Sequence, residues 1–458
     1  MRGLIVSILE TGAVPNVDAL QTKAIQNALD KVFLAGGGTV TVPAGKYNIS
    51  SVRVRSNTTL YLESGAELYG SRNPELYNIM AGDTVEPLSP EHLTDKLWEK
   101  ANRENPFARD YSFMRTVGSR WNNGMIRIAF AENVAIVGES GAVIDGCDCY
   151  DAVGEERYRG PHGVSVWHSK NVTFSGYTIR NTGNWAHAVW YCKNLTCEGV
   201  TAEAGHDGIH MTRCENIVIR NSHFYTGDDC VAGFGNLNTL VEGCTLNTAC
   251  SGLRFGGTNA LIRNCHFYGP AKFFFRGSLS LEEKISGAAA TNIPHRINML
   301  SVLTYYADFS VEIPEQPDNI VITDCTVENT DRFLHFNFSG NETWQKNRPL
   351  RTLTMSKIKA KGISMPLTAY GSPDVPLIMT LKDIDLAFRE GARNVPFLHT
   401  ANYERIVLEN VNIDNDAGTP VIKAWTQDGE IVLRNVECQT AEEARIVYTD
   451  EPFVCKSI

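Results

Sequence analysis

The 458-residue sequence has no run of 18 apolar residues, so no membrane-spanning helix is expected. It has no excess of positive charge; the net charge of −10 argues against nucleic acid as a partner. It leaves open an acidic ligand held in a local basic pocket. It has no CxxC pair and no HExxH, so zinc-type spacing is missing. Cys147-Asp-Cys149 is the nearest approach to a metal or redox pattern. The opening MRGLIVSILETGAV lacks a long apolar core followed by a small-residue cleavage site. Read with twelve cysteines, among them Cys244, Cys265, Cys325 and Cys438 in the strand-like settings EGCTL, RNCHF, TDCTV and NVECQ, this predicts a cytoplasmic protein with buried, reduced thiols stacked along the core. Low-complexity segments and linkers are also missing, which favours one domain over residues 1–458.

What is present is a repeat. Asn171-Val-Thr-Phe, Asn194-Leu-Thr-Cys, Asn216-Ile-Val-Ile, Asn238-Thr-Leu-Val and Asn259-Ala-Leu-Ile follow one another at steps of 21 to 23 residues, and Asn319-Ile-Val-Ile comes after a gap. Each unit carries short β-branched runs with alternating faces, broken by Gly, Asn, Asp and Thr. That is strand and turn chemistry. A period near 22 residues suits one coil of a right-handed, single-stranded parallel β-helix, with coils stacked roughly 4.8 Å apart. Residues one period apart then become neighbours. Asp207 and Asp229 are 22 positions apart, as are Asp229 and Ser251. Asp207, Asp228 and Asp229 should therefore gather on one outer face and push one another's pKa values apart, as a two-carboxylate glycosidase requires. Aspartates also cap turns, but a third one a coil earlier, on schedule with glycines and apolar strands, favours the functional reading.

Residues 12–34 contain an amphipathic helix, with Ala24, Ile25, Ala28, Leu29, Val32 and Phe33 at helical spacing. It is expected to cap the open end of the solenoid and shield its edge strands. Residues 72–124 break the pattern and read as an insertion over one side, with Arg120, Trp121 and Asn123 as possible sugar contacts. Further insertions are expected at 147–160 and 270–318. Coils resume from Asn319 to about residue 449.

These motifs resemble the polygalacturonase-like glycoside hydrolases of family 28 over about residues 11–270. GGGTVTVPAGKYNISSVRVRSNTTLYLESGAELYGS is similar to the family's opening coils, and AVIDG to its Gly-x-Ile-Asp-Gly turn. Gly183-Asn-Trp-Ala-His187 stands where the family has Asn-Ser-Pro-x-Trp. Asp207-Gly-Ile stands at Asn-Thr-Asp-Gly-Ile, and Gly227-Asp-Asp-Cys-Val-Ala at Gly-Asp-Asp-Cys-Ile-Ala. The resemblance implies inverting hydrolysis, with Asp228 as general acid and Asp207 and Asp229 holding and deprotonating the attacking water. By that resemblance no metal or organic cofactor is then needed. The sequence departs from the family in three places. Gly205-His206 replaces Asn-Thr, Ser251 replaces the histidine of Gly-His-Gly, and the Arg-Ile-Lys segment that grips the substrate carboxylate has no clear match. His206 or His210 could supply the imidazole. Arg254, Lys272 and Arg276 are candidates for the grip, although Arg254 could equally pair with a neighbouring carboxylate. Trp185 and His187 could touch sugar or simply pack.

Three readings follow. The first is an exo-acting hydrolase of a galacturonide or related α-linked plant cell-wall oligosaccharide, its groove closed into a pocket by the insertions. The second is a β-helix polysaccharide lyase or epimerase using calcium held by the carboxylates. The third is a carbohydrate-binding β-helix without turnover.

Overall fold

The computed structural model describes residues 3–77, 119–152, 154, 159–276, 282–283, 297–306, 315–337, 348–425 and 429–449. Most of the expected 72–124 insertion, with parts of the other two, lies outside them. The chain divides into two compact units. One comprises Met1–Asp228 with Phe273–Arg296, the other Asp229–Lys272 with Ile297–Ile458. Each is built of parallel β-helix coils, as the repeat predicts.

In the first unit a coil contributes three short strands. His162–Trp167, His187–Trp190 and Ile209–Thr212 pair in parallel on one face. Lys170–Ser175, Lys193–Glu198 and Glu215–Arg220 form the second face, and Thr178–Arg180, Thr201–Ala204 and His223–Thr226 the third. The register stacks like on like. Val6, Val40, Leu60, Ile136, Phe174, Cys197 and Ile219 make one fully buried column through seven coils. Each large side chain in such a column removes about 2–3 kcal/mol worth of apolar surface from water. In the second unit, Val241, Ile262, Ile322, Met355, Leu381 and Leu408 form the matching column.

The periodic asparagines mark the corners. Asn133, Asn171, Asn194 and Asn216 all sit at φ between 55° and 60°, a left-handed conformation that asparagine accepts more readily than other non-glycine residues. Their side chains form a ladder, each amide donating to the carbonyl oxygen of the asparagine one coil back. The distances are 2.9 Å from Asn133 to Asn57, 2.8 Å from Asn171 to Asn133, 2.8 Å from Asn194 to Asn171 and 3.0 Å from Asn216 to Asn194. The second unit has its own ladder, with Asn319 donating to Asn259 at 3.1 Å and Asn259 to Asn238 at 3.3 Å.

The helix spans Thr22–Leu34 and buries Ile25, Ala28, Leu29 and Val32 against the first coils. Gln26 completes the shielding of an edge strand. Its side chain accepts from the Arg53 amide at 2.8 Å and donates to the Arg53 carbonyl at 3.1 Å. The predicted cysteine stack is present in the second unit. Hydrogen bonds to the Cys244 and Cys325 thiols, together with burial, push the Cys265 thiol up and keep it protonated. Cys438, predicted as buried, is only half-buried. No helix among the described residues is long and apolar enough to cross a membrane.

Candidate active site

The first unit places Asp207 and Asp228 on successive coils. Ala204 and Thr226 are in register just before them, and the Gly227 amide donates to the Ala204 carbonyl at 2.8 Å. Thr226 Oγ1 then donates to the Asp228 carbonyl at 2.6 Å and closes the turn. Gly227 is needed because another backbone segment crosses its turn, while at Gly205 the obstacle is a side chain. A Cβ on Gly227 would collide with the Phe274 carbonyl, and one on Gly205 with the aliphatic part of Arg276.

Asp207 is held by His210, whose Nδ1–H donates to Oδ2 at 2.7 Å. The bond fixes the tautomer, leaving Nε2 as the second ring nitrogen. The His210 ring lies flat on Trp185, with centroids 3.8 Å apart and planes 3° off parallel. Trp185 meets Trp121 edge-on at 5.5 Å, and Arg159 sits over the Trp121 ring at 5.2 Å. The Arg159 guanidinium reaches Asn184 Oδ1 at 3.3 Å and lies 4.0 Å from Asp228 Oδ2. Arg159 and Asp228 each leave only 12% of their side-chain surface in solvent. His206 is buried at the same turn. Behind the tryptophans, His162 is fully buried. Burial first, then Arg159 and His210, lower its pKa to about 3, so its ring is neutral.

The second unit holds Asp229. Its Oδ1 accepts from the Ser251 amide at 3.0 Å, and Arg254 Nη1 is 3.8 Å from Oδ2. Ser251 Oγ donates to Thr304 Oγ1 at 3.0 Å. Arg254 thus takes the carboxylate-pairing alternative, while its guanidinium also covers the Tyr306 ring at 4.8 Å. Lys272 is exposed; its backbone amide is fixed by Asn247 Oδ1 at 2.7 Å.

Several expected contacts are placed elsewhere. His187 points inward. It is in register with Val164 and Ile209, donates from Nδ1 to Gly208 O at 3.0 Å and accepts the Tyr177 hydroxyl at Nε2, at 2.9 Å. Burial lowers its pKa to about 4, and it offers no surface to a sugar. Arg276 is ion-paired with Asp148. Arg120 clamps Asp151, donating from Nη2 to Oδ1 at 2.9 Å, and Asn123 bonds the Tyr77 carbonyl at 3.3 Å, so both are structural. The Cys147-Asp-Cys149 pattern is likewise structural. Cys147 Sγ bonds the Tyr69 hydroxyl at 3.0 Å, and burial pushes the Cys149 thiol up to about 12, far from a ready thiolate ligand.

The sequence reading passed over Arg159, Arg53 and Arg127. Arg53 and Arg127 are buried register neighbours in a row that continues through Ser165 and Ala188 to His210. Only their outward parity within the repeat signalled them.

Residues 111–253 match the model of the glycosyl hydrolases family 28. The chain resembles the polygalacturonase-like members of that family. All three aspartates lie inside the matched stretch. A probable polygalacturonase from Vitis vinifera is 26% identical over 241 residues, which are 49% of this chain and 43% of the relative. An exo-poly-α-D-galacturonosidase from Dickeya chrysanthemi is 27% identical over 266 residues, 50% of this chain and 42% of the relative. The chain thus spans less than half the length of these two relatives. Among solved structures, a hyperthermoactive exopolygalacturonase from Thermotoga maritima is similar at a TM-score of 0.61 and 17% identity, covering 95% of this chain and 91% of that one. That likeness bears on the fold alone.

Proposed function

We propose that this protein is an inverting glycoside hydrolase that removes an end sugar from a galacturonide or related α-linked plant cell-wall oligosaccharide. The observation that carries the reading is the placement of Asp207 and Asp228 on successive coils, each with a distinct partner, inside the stretch that matches family 28. In the proposed reaction Asp228 donates its proton to the leaving glycosidic oxygen as the bond to the anomeric carbon breaks. A water oxygen bonds to that carbon from the opposite side, and its proton passes to a carboxylate, the role that the family resemblance gives to Asp207 and Asp229. His210 holds one Asp207 oxygen through its Nδ1–H. Arg53 and Arg127, in the row of His210, support a substrate that carries carboxylates. The name of the Dickeya relative supports exo action. The eleven free cysteines of the described residues support a reducing compartment such as the cytoplasm.

The test is release of reducing sugar from galacturonides, rhamnogalacturonan fragments and neutral α-linked oligosaccharides, with Asp228→Asn beside the wild type. Release from galacturonides that is lost in the variant is expected. A product with a new ultraviolet-absorbing double bond would point to a lyase, and no release from any substrate would leave a binding protein.

A further inference from the structure

The second unit has one outward strand face with an unusual pattern. Val241, Ile262 and the residues in register with them point into the core, so the residues just before them point out. Register places Leu240, Leu261, Val321, Thr354, Thr380 and Val407 side by side on successive coils, with Val432 on the seventh. All seven are half-buried, none is charged and five are aliphatic. A continuous apolar stripe of this kind, about 29 Å long, is a mark of an interaction surface.

Two residues further along each strand runs a second outward row: Glu242, Arg263, Thr323, Ser356, Lys382 and Glu409, ending in Arg434. Neighbours in it pair, Glu242 with Arg263 at 2.7 Å, and Glu409 with Lys382 at 2.6 Å and with Arg434 at 3.3 Å. The row therefore starts negative then positive and finishes negative then positive, so it is complementary to its own reverse. A two-fold axis along the strand direction over Thr354 reverses the coil order and keeps each row opposite itself. Glu242 then meets the partner's Arg434, and Arg263 the partner's Glu409. In the stripe, Leu240 meets the partner's Val432, Leu261 the partner's Val407 and Val321 the partner's Thr380. An offset of one coil sets Arg263 against the partner's Arg434 in one direction and Glu242 against the partner's Glu409 in the other. The charges thus select a single register. Five residues on each of seven coils span roughly 34 Å by 17 Å. Two copies would bury on the order of 1,100 Å², the lower end for specific interfaces.

We infer that this face joins two copies of the chain in an isologous dimer, with the apolar stripe at its centre and the Glu242–Arg434 and Arg263–Glu409 contacts at its rim. The inference does not depend on the hydrolase reading.

Sedimentation velocity of the full-length protein, from about 1 to about 200 μM chain, tests it. The modest area predicts a dimer that dissociates on dilution, with a Kd on the order of 10 μM. Val407→Lys in the stripe should raise that Kd at least about tenfold. Glu242→Arg or Arg434→Glu alone should also raise it about tenfold, because each sets like charges against one another across the interface. The two together should bring it back to within about threefold of wild type, since the swapped charges meet again. Urea unfolding of each variant, unchanged from wild type, would tie the effect to association and not to folding. A monomer at every concentration would overturn the inference and leave the face to a different partner. A dimer indifferent to Val407→Lys and Glu242→Arg would overturn it too, as would a double variant no better than the single ones.

Discussion

Acid should loosen the first unit through His187, by an amount that can be worked out. Its ring is buried and neutral, with a folded pKa of about 4 against an ordinary value of 6.5. Between those values the unfolded chain binds a proton that the folded chain refuses. Stability from this group is therefore complete above pH 6.5 and is lost as the pH falls toward 4. At pH 5, about 1.5 units below the unfolded value, the loss is about 2 kcal/mol. His162, with its pKa lowered to about 3, adds a similar amount with the same sign. The His187→Gln variant removes one titrating group and leaves His162 and the carboxylates in place. It will be less stable than wild type at pH 7, because the Tyr177 and Gly208 bonds are disturbed. The informative quantity is the drop in urea-unfolding free energy from pH 7 to pH 5, measured for each protein. That drop should be smaller in the variant by about 2 kcal/mol. An equal drop in both proteins would show that His187 is not held neutral and would refute the reasoning.

Other expectations follow from single contacts. Asn194→Ala breaks two ladder bonds and puts a Cβ-bearing residue without a compensating side chain at φ 60°, so it should cost about 2 kcal/mol in urea unfolding. Asn194→Gly keeps the conformation and should cost about half as much; an equal cost for both would contradict the conformational part. His210→Phe preserves the stack on Trp185 and loses the bond to Asp207. It should lower kcat about tenfold or more with KM within about twofold, whereas a change confined to KM would assign His210 to binding alone.

Much of the architecture was readable because a β-helix writes its geometry as a period. The asparagines that recur every 21 to 23 residues are the corner ladder, and the helix at 22–34 buries four of the apolar positions its spacing predicted. The same period, applied strictly, would have placed His187 inside, since its coil neighbours Val164 and Ile209 are core residues. What stayed hidden comes from segments outside the period. Arg159 approaches Asp228 from an insertion, and Arg276 finds Asp148 across 128 residues, with no spacing rule to announce either contact. Arg53 and Arg127 were hidden for a different reason. They are register neighbours, but the long irregular stretch between them masks the repeat.

The central claim is that Asp228 protonates the leaving oxygen. The direct measurement compares Asp228→Asn with wild type on two substrates, an unactivated galacturonide and a nitrophenyl galacturonide whose leaving group needs no proton. The account predicts a loss of about 10²–10⁴-fold on the first and under about tenfold on the second, while Asp229→Asn loses heavily on both. Equal losses for Asp228→Asn on the two substrates would contradict it.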